Sequence, residues 1–265
     1  MGTSGEREQG PEQAPDAGAL ERVARLVAFL RANCDWDAAQ TPRSLTPYLL
    51  EEAHETVDAI EDGDDEHLRV ELGDLLLNIA FQIVLAGERG AFSADDVVHA
   101  VERKMRRRHP HLYGTGDAEP WETLKARERG SRSVLHGLAR GLEPLSRAHR
   151  IQDRVSGVGF DWADPAGALD KVREETDEVA HALVDGGDRL EEELGDLLFA
   201  VVNLARLAGV HPLHALGGAN RKFERRFRDL ERLAAERGID LGSAGLERLD
   251  VLWDEVKRLR PPAAD

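Results

Sequence analysis

The chain has 265 residues, of which 32% are charged and 41% hydrophobic, and its formal net charge is −16 at pH 7. This length suits one large or two small globular domains, and the acidic balance disfavours general binding to nucleic acid or to anionic membranes. The single cysteine, Cys34, excludes an internal disulfide and is consistent with a reducing cytosol. Alanine, leucine, glutamate and arginine abound, which favours helix.

The first 18 residues lack the apolar core of a signal peptide, and we expect them to form a disordered tail. The longest apolar segment, Leu75–Ala86, is interrupted by Asn78 and Gln82. It is shorter than the roughly 20 residues that a membrane-spanning helix needs. We therefore expect a soluble, cytoplasmic protein without a membrane partner.

Helix signals follow one another along the chain, and no strand pattern of useful length accompanies them. Ser93 and Asp96 have the spacing of a capping box, which predicts the start of a helix. Asp164 and Pro165 combine an N-cap residue with proline in the first turn, which predicts another. A further helix is predicted over about residues 188–208.

One sequence unit occurs twice. The stretches 35–81 and 161–205 both run Asp-Trp, then EExxE, then ELGDLL, with nearly equal spacing. The correspondence extends to RKMRRR (103–108) with RKFERR (221–226), to Trp121 with Trp253 and to Lys125 with Lys257. Such a long period indicates duplication of one helical unit rather than an array of short repeats.

We predict an all-α fold of two tandem, related helical units of the four-helix-bundle type. The predicted boundaries are a tail over 1–18, an N-terminal unit over 19–130, a linker over 131–141 and a C-terminal unit over 142–260. Because each unit has few helices, we expect each bundle to be completed by pairing with another unit.

Two glutamates of each EExxE segment lie beside an apolar stripe with helical spacing. The stripes comprise Leu49, Ala53, Thr56 and Ile60 in the first unit, and Leu169, Val172, Thr176, Val179 and Leu183 in the second. At about 100° per residue, Glu52 and Glu55 fall next to the first stripe. Glu175 and Glu178 fall next to the second in the same way.

The ELGDLL motif adds two carboxylates to each unit. Glu71 and Asp74 share one helical face because they are three residues apart, and Glu193 and Asp196 repeat the pair. The helix around Glu71 is apolar on nearly all sides, so an unpaired, ionised carboxylate there would cost several kcal/mol. Protonation or a multivalent cation would relieve this cost.

Oxygen ligands without an obligatory cysteine or histidine suit Mg²⁺ or Mn²⁺ better than zinc. The predicted ligand sets are Glu52, Glu55, Glu71 and Asp74 in the N-terminal unit, and Glu175, Glu178, Glu193 and Asp196 in the C-terminal unit. Gly73 and Gly195 interrupt the two ELGDLL helices, where glycine costs about 1 kcal/mol relative to alanine. Close helix packing and room for a metal-bound ligand are both open explanations.

EExxE followed by ExxD in a duplicated all-α chain closely resembles the MazG family of nucleoside triphosphate pyrophosphohydrolases, over about residues 20–259. The second unit is the closer match, through GFDW, KVREETDEV, EEELGDLLFAVVNLAR and NRKFERRF. The resemblance implies Mg²⁺-dependent hydrolysis of nucleoside triphosphates, ribo or deoxy, to monophosphate and pyrophosphate. It also implies attack of metal-activated water at the α-phosphorus and a homodimeric assembly.

The resemblance also implies roles for residues of the second unit. The candidate catalytic residues are Glu175, Glu178, Glu193 and Asp196 as Mg²⁺ ligands, with Lys222 and Arg226. The candidate substrate-binding residues are Lys171, Asn220, Lys222, Arg226 and Trp253. Either Glu174 or Glu192 could orient the water, and Trp253 could equally be a core residue.

We expect the second unit to be the catalytic one. The first unit has Lys104 and Arg108 where the second has Lys222 and Arg226, but Glu102 replaces Asn220. A negative charge there would oppose a triphosphate. The first unit is therefore expected to be degenerate or to bind metal alone.

Three other interpretations remain. A ferritin-type di-metal bundle uses Glu-x-x-His, which occurs at 51–54 and 178–181, at different places in the two repeats. A nucleic-acid binder could use the basic stretch KMRRRHPH, 104–111, against the acidic charge of the whole chain. A non-enzymatic helical adaptor would leave the buried acids without a purpose.

Overall fold

The computed structural model describes residues 18–114, 116–118, 133–185 and 189–259. Within these ranges the regular structure is helical and contains no strand, which confirms the predicted all-α class. The predicted tail up to residue 17, Trp121, Lys125 and the first two residues of the predicted linker lie outside the described residues.

The helices of the N-terminal part are α1 (Ala19–Asn33), α2 (Asp35–Ala38), α3 (Thr46–Asp62), α4 (Asp65–Glu88) and α5 (Ala94–Arg108), followed by a 3-10 turn at Pro110–Leu112. Those of the C-terminal part are α6 (Pro144–Ser156), α7 (Pro165–Asp185), α8 (Arg189–Leu207), α9 (Pro212–Glu236) and α10 (Leu246–Leu259). The chain divides into two compact units, residues 1–118 and 119–265.

Local sequence explains where several of these helices begin and end. The Ser93 side chain accepts from the Asp96 amide while Asp96 accepts from Ser93 N–H, which confirms the capping box at the start of α5. Gly63 ends α3 with a φ of 69°, a left-handed conformation that glycine adopts at little cost. Asp64 then caps α4, because its side chain accepts from two amides of the first turn.

In the N-terminal unit, α4 is the central helix and packs against α3 and α1. Its apolar core comprises Val27, Leu45, Ala80, Phe81 and Leu85. By length and composition α4 is apolar enough to cross a bilayer. It nevertheless buries Glu71 and Asn78 within the unit, as the core helix of a helical bundle does.

In the C-terminal unit, α7 packs against α8, α6 packs against α8, and α9 packs against α10. The α9–α10 pair has its own core of Leu230, Ala234, Leu252 and Val256. Helix α9 departs from α8 through a bend of 105°. The bend separates two helix pairs: α7 and α8, which carry the predicted carboxylates, and α9 and α10, which carry the predicted cations and Trp253.

The prediction that the apolar stripes form the buried sides of α3 and α7 was wrong in part. Ile60 is 58% exposed and Leu183 is 64% exposed. The residues buried on α7 are instead Ala168, Glu175 and Ala182. Small side chains let α7 approach α8 closely, and the bulky residues of the predicted stripe are displaced toward the outside.

Candidate active site

The α7–α8 pair brings together three of the four predicted carboxylates of the second unit. One carboxylate oxygen each from Glu175, Glu193 and Asp196 lies within 4.8 Å of the other two. Glu178 is the fourth predicted member, and it lies one turn beyond Glu175 on α7, where the charges of Glu175 and Glu193 act on it. The two acidic motifs therefore converge although they are far apart in sequence.

The first unit repeats this arrangement on α3 and α4. Oxygens of Glu52, Glu55 and Glu71 lie within 4.8 Å of one another. Asp74, the remaining predicted member, is close enough for its charge to raise the pKa of Glu52. Each copy of the duplicated sequence thus forms an acidic centre.

Burial makes these carboxylates unusual. Glu175 is 4% exposed and Glu193 is 8% exposed. Oε2 of Glu175 is buried and has no hydrogen-bond partner. An ionised oxygen in such a place is unfavourable unless a cation or a donor reaches it.

Two basic residues partly offset the charge of the second centre. Lys171 Nζ lies 2.6 Å from Oε1 of Glu175 and 2.9 Å from Oε1 of Glu174. Arg189 Nε lies 3.0 Å from Oε1 of Glu193. Lys171 and Arg189 each lie one helical turn before the buried glutamate that they contact.

The first centre has different residues at these two places. His67 Nε2 lies 2.9 Å from Oε1 of Glu71, in the position that Arg189 has relative to Glu193. Tyr48 occupies the place of Lys171, four residues before Glu52. The sequence analysis missed Arg189 and His67, although a basic residue four positions before each ELGDLL glutamate was a readable signal.

Hydrogen bonding, burial and neighbouring charges shift the pKa of three groups at the two centres. The pKa of Glu178 is raised, first because its protonated form can hydrogen-bond the Glu175 carboxylate, and then by burial and by the charges of Glu175 and Glu193. The pKa of Glu52 is raised by burial first and then by the neighbouring carboxylates, Asp74 foremost. Hydrogen bonds to Glu175 and Glu174 raise the pKa of Lys171, which stays a cation.

The donors fit a hard divalent cation. Each cluster consists of carboxylate oxygens and, within the described residues, includes no histidine or cysteine. Carboxylates are the ligands that Mg²⁺ and Mn²⁺ prefer, and the buried Oε2 of Glu175 has a lone pair to give. The residues present therefore fit Mg²⁺ chemistry.

The glycines of the two ELGDLL motifs do not serve close packing within their own units. A Cβ added at Gly73 or at Gly195 would meet no atom within 4 Å among the described residues. Both glycines are exposed next to the carboxylates. Of the two explanations, close packing against a helix of the same unit is excluded.

The remaining predicted substrate residues lie on the α9–α10 pair. Asn220, Lys222 and Arg226 are on α9, beyond the 105° bend. Trp253 is on α10, half-buried against the core of that pair, with its ring centroid 5.1 Å from that of Phe223. Trp253 therefore packs within this pair, and the three polar residues lie on a different helix pair from the carboxylates.

The Glu-x-x-His pairs of the ferritin alternative do not form centres. His54 and His181 are exposed, and neither belongs to an acidic cluster of the described residues. His67 does contact a cluster glutamate, Glu71, but it belongs to neither Glu-x-x-His pair.

Fold and site together define a duplicated all-α protein with a cluster of carboxylates in each half. The model of the MazG nucleotide pyrophosphohydrolase domain matches residues 40–113 and again 164–230. The chain therefore belongs to the MazG family of nucleotide pyrophosphohydrolases, and it is an enzyme of that class, as the sequence motifs predicted.

Two relatives match about nine tenths of this chain, and a third matches a little over half of it. The nucleoside triphosphate pyrophosphohydrolase of Escherichia coli K12 is 45% identical over 256 residues, which are 90% of this chain and 97% of that protein. The nucleoside triphosphate pyrophosphohydrolase/pyrophosphatase MazG of Thermotoga maritima is 42% identical over 250 residues, covering 91% and 97%. The Mycobacterium tuberculosis nucleoside triphosphate pyrophosphohydrolase is 34% identical and matches 56% of this chain.

Proposed function

We propose that this protein hydrolyses nucleoside triphosphates, ribo or deoxy, to nucleoside monophosphate and pyrophosphate, with Mg²⁺ held by the second acidic centre. The observation that carries the proposal is the buried, unpartnered Oε2 of Glu175 next to Glu193 and Asp196. The names of the relatives support the substrate class. Ferritin-type chemistry is not favoured, because the clusters contain no histidine among the described residues.

Glu175, Glu178, Glu193 and Asp196 would hold the cation. When bound, Mg²⁺ supplies the Lewis acidity that activates water and neutralises charge on the phosphates. Mn²⁺, which also accepts oxygen ligands, could replace it. Glu192 is exposed on α8, whereas Glu174 already pairs with Lys171. We therefore favour Glu192 over Glu174 as the base that orients the water.

Lys171 is the nearest cation available to the phosphates. In the structure it divides its hydrogen bonds between Glu174 and Glu175. A divalent cation at the carboxylates would compete with Lys171 for Glu175, and the ammonium would then be free to contact a phosphate oxygen. Arg189 has the same relation to Glu193 and serves in the same way.

A second copy of the chain would bring Lys222 and Arg226 to the site. Helix α9 leaves α8 through a 105° bend. Glu193 lies 14 residues before the end of α8, so helical rise places it about 20 Å from the bend. Lys222 lies ten residues into α9, about 15 Å beyond the bend. These cations cannot reach the carboxylates of their own chain without a large rearrangement of that bend.

Uncovered apolar residues support the homodimer. On α8 the large side chains Leu194, Leu198 and Val201 are exposed at i, i+4, i+7 spacing, next to the open Gly195. An apolar helix face of this kind is typical of a surface that another helix covers. We propose that two copies pack through this face and that each supplies α9 cations to the carboxylates of the other.

We propose that the first unit binds a cation but contributes little turnover. Its centre lacks the lysine of the second, because Tyr48 stands where Lys171 does. Glu102 replaces Asn220 and would repel a triphosphate.

We also propose that the enzyme works in the cytoplasm, where its substrates are. The free thiol of Cys34 is compatible with that compartment.

The test is product analysis. Purified protein, Mg²⁺ and each common ribo- and deoxyribonucleoside triphosphate are incubated, and the products are separated by ion exchange. Equal amounts of monophosphate and pyrophosphate, lost in Glu193→Gln and retained in Glu71→Gln, would support the proposal. Release of inorganic phosphate, or loss of activity in Glu71→Gln alone, would contradict it.

A further inference from the structure

We propose that His149 and His211 hold a Zn²⁺ ion, or another divalent ion that prefers imidazole, between α6 and the start of α9. Gln152 of α6 and His214 of α9 complete its ligands. This site is separate from the two carboxylate centres, and the inference goes beyond the proposed function and does not depend on it.

Buried polar atoms without a partner mark the place. In the described part of the chain, four side-chain nitrogen or oxygen atoms are buried and lack a hydrogen-bond partner. Three of them are Nδ1 of His149, Nδ1 of His211 and Oε1 of Gln152, and the fourth belongs to Glu175 of the acidic centre. Such an atom is unfavourable in a fold unless a donor or a cation reaches it.

The side chains that carry these atoms are neighbours. His149 and Gln152 are three residues apart on α6, so they share one face of that helix. The ring centroid of His149 lies 4.7 Å from that of His211, the residue before α9. The centroid of His211 lies 4.8 Å from that of His214 in the first turn of α9. Donors from two helices therefore meet at one place.

Gln152 is held so that its oxygen is the free end. Its Nε2 donates to the carbonyl oxygen of Phe199 on α8 at 2.8 Å, and the residue is only 3% exposed. Because the amide nitrogen is engaged, Oε1 is left with its lone pairs and no donor. A cation can be shared by this oxygen and by the lone pairs of neutral imidazoles.

The donor set selects the ion. Imidazole nitrogens suit zinc, copper and nickel, whereas Mg²⁺ prefers oxygen ligands alone. Zn²⁺ takes four ligands in tetrahedral geometry, with Zn–N distances of about 2.0–2.1 Å. The nitrogens of the three described rings do not all lie within 4.8 Å of one another. His214 is exposed, so its ring is able to turn toward an ion held by His149 and His211.

The surroundings tolerate a cation. The charges of Arg150 and Arg206 act on His149, but each of these guanidinium groups is already paired. Arg150 contacts Asp153 at 2.7 Å, and Arg206 contacts Asp161. The chain as a whole carries a net charge of −16, which also favours the approach of a divalent cation.

The position of the site gives the ion a structural role. An ion shared by α6 and α9 would join the two helices next to the 105° bend between α8 and α9. That bend determines where α9 carries Lys222 and Arg226. A ligand that binds the folded state stabilises it by mass action, so Zn²⁺ should raise the melting temperature.

The experiment measures zinc bound to the purified full chain by equilibrium dialysis and mass spectrometry of the metal. The wild type should bind one Zn²⁺ per chain at this site. X-ray absorption at the zinc edge should show nitrogen neighbours at about 2.0–2.1 Å. In the double variant Glu175→Gln, Glu71→Gln the zinc should be retained, because the carboxylate centres are not its ligands.

Histidine variants test the ligands. His149→Ala and His211→Ala should each weaken Zn²⁺ binding by at least about 100-fold, since loss of an outer-shell partner alone costs about 10- to 100-fold. The rise in melting temperature with Zn²⁺ should disappear with it. His99→Ala, at an exposed histidine of α5, is the matched control and should keep both.

A ligand exchange separates metal binding from folding. His149→Cys replaces imidazole by a thiolate, which also binds Zn²⁺, and should recover binding that His149→Ala loses. Equal loss in both variants would overturn the proposal. So would a wild type without zinc, as expected if ordered water satisfies these atoms. Zinc that persists in His149→Ala and His211→Ala, or that is lost in the double glutamate variant, would also overturn it.

Discussion

Lys171 Nζ contacts Oε1 of Glu175 at 2.6 Å from one helical turn away, and this pairs the most buried carboxylate of the second centre with a cation. The contact leaves the other oxygen of Glu175 without a hydrogen-bond partner. Lys171 offsets part of the negative charge of Glu175, which reduces its repulsion with the neighbouring carboxylates. The other oxygen of Glu175 is still available to a metal ion. Several measurable consequences follow from this pairing and from the structure around it.

Replacing Lys171 by glutamine should lower kcat/KM about 10- to 150-fold, the range for losing one hydrogen bond that involves a charged group. The neutral amide can still pair with Glu174 but cannot offset phosphate charge. Steady-state pyrophosphate release measures the effect. Lys171→Arg keeps the charge and should recover much of the activity, whereas equal activity in Lys171→Gln would argue against a role for the ammonium.

Divalent cations should stabilise both acidic centres. The clustered carboxylates repel one another without a cation, so Mg²⁺ should raise the melting temperature through mass action on the folded state. In differential scanning fluorimetry, Glu175→Gln and Glu71→Gln should each remove part of the shift. The double variant should show none, and a full Mg²⁺ shift in the double variant would mean that the cation binds elsewhere.

Complementation between subunits tests the proposal that two copies share each site. Glu193→Gln and Arg226→Ala homodimers should each be nearly inactive, because each lacks one half of every site. Mixing them after reversible dissociation should restore about a quarter of the wild-type activity, since half of the random dimers contain one intact site. Recovery of no activity on mixing, with exchange of subunits verified, would place Arg226 in the same chain as its carboxylates.

Gly167→Ala should displace the indole of Trp162 and lower the free energy of unfolding by about 1–3 kcal/mol, the usual cost of overpacking. The added methyl would lie 2.3 Å from the indole and must displace it. Alanine is the better helix former, so helix stability should not fall for that reason. Urea denaturation and a crystal structure of the variant check the result, and an unmoved indole with wild-type stability would contradict the close contact.

A histidine cluster at the start of α9 should make folding pH-dependent. The ring centroids of His149 and His211 lie 4.7 Å apart with the rings tilted by 41°, and Nδ1 of each is buried without a hydrogen-bond partner. Burial first, then the charge of His211, lowers the pKa of His149 below its usual 6.5. Arg150 and Arg206 lower it further, while Asp153 opposes them.

The sign of the effect follows from that direction. The neutral imidazole is favoured in the fold, so its contribution is complete above pH 6.5 and is lost as the pH falls from 6.5 through the lowered pKa. The free energy of unfolding, measured in urea between pH 7.5 and 5, should therefore fall more steeply in the wild type than in His149→Gln. His181→Gln, at an exposed histidine of α7, is the matched control and should keep the wild-type slope.

Local sequence patterns predicted several helix starts and the acidic motifs correctly. The capping box at Ser93, the start of α7 at Pro165 and the duplicated acidic motifs were all readable, because each depends on residues within a turn or two of one another. The bulky stripe on α7 was wrong in part, because periodicity identifies an apolar side but not which of two apolar sides faces the neighbouring helix. Ala168 and Ala182 decide that, through close approach to α8.

The sequence by itself determined the all-α class, the duplication and the family, because repeated spacing of Glu175, Glu178, Glu193 and Asp196 survives without knowledge of any contact. Only the tertiary structure decided which groups meet: Lys171 and Arg189 with the buried glutamates, Trp162 with Gly167, and α9 turned away from α8. The physical reason is that partner choice depends on distances between helices and on burial, and neither is a property of spacing along the chain.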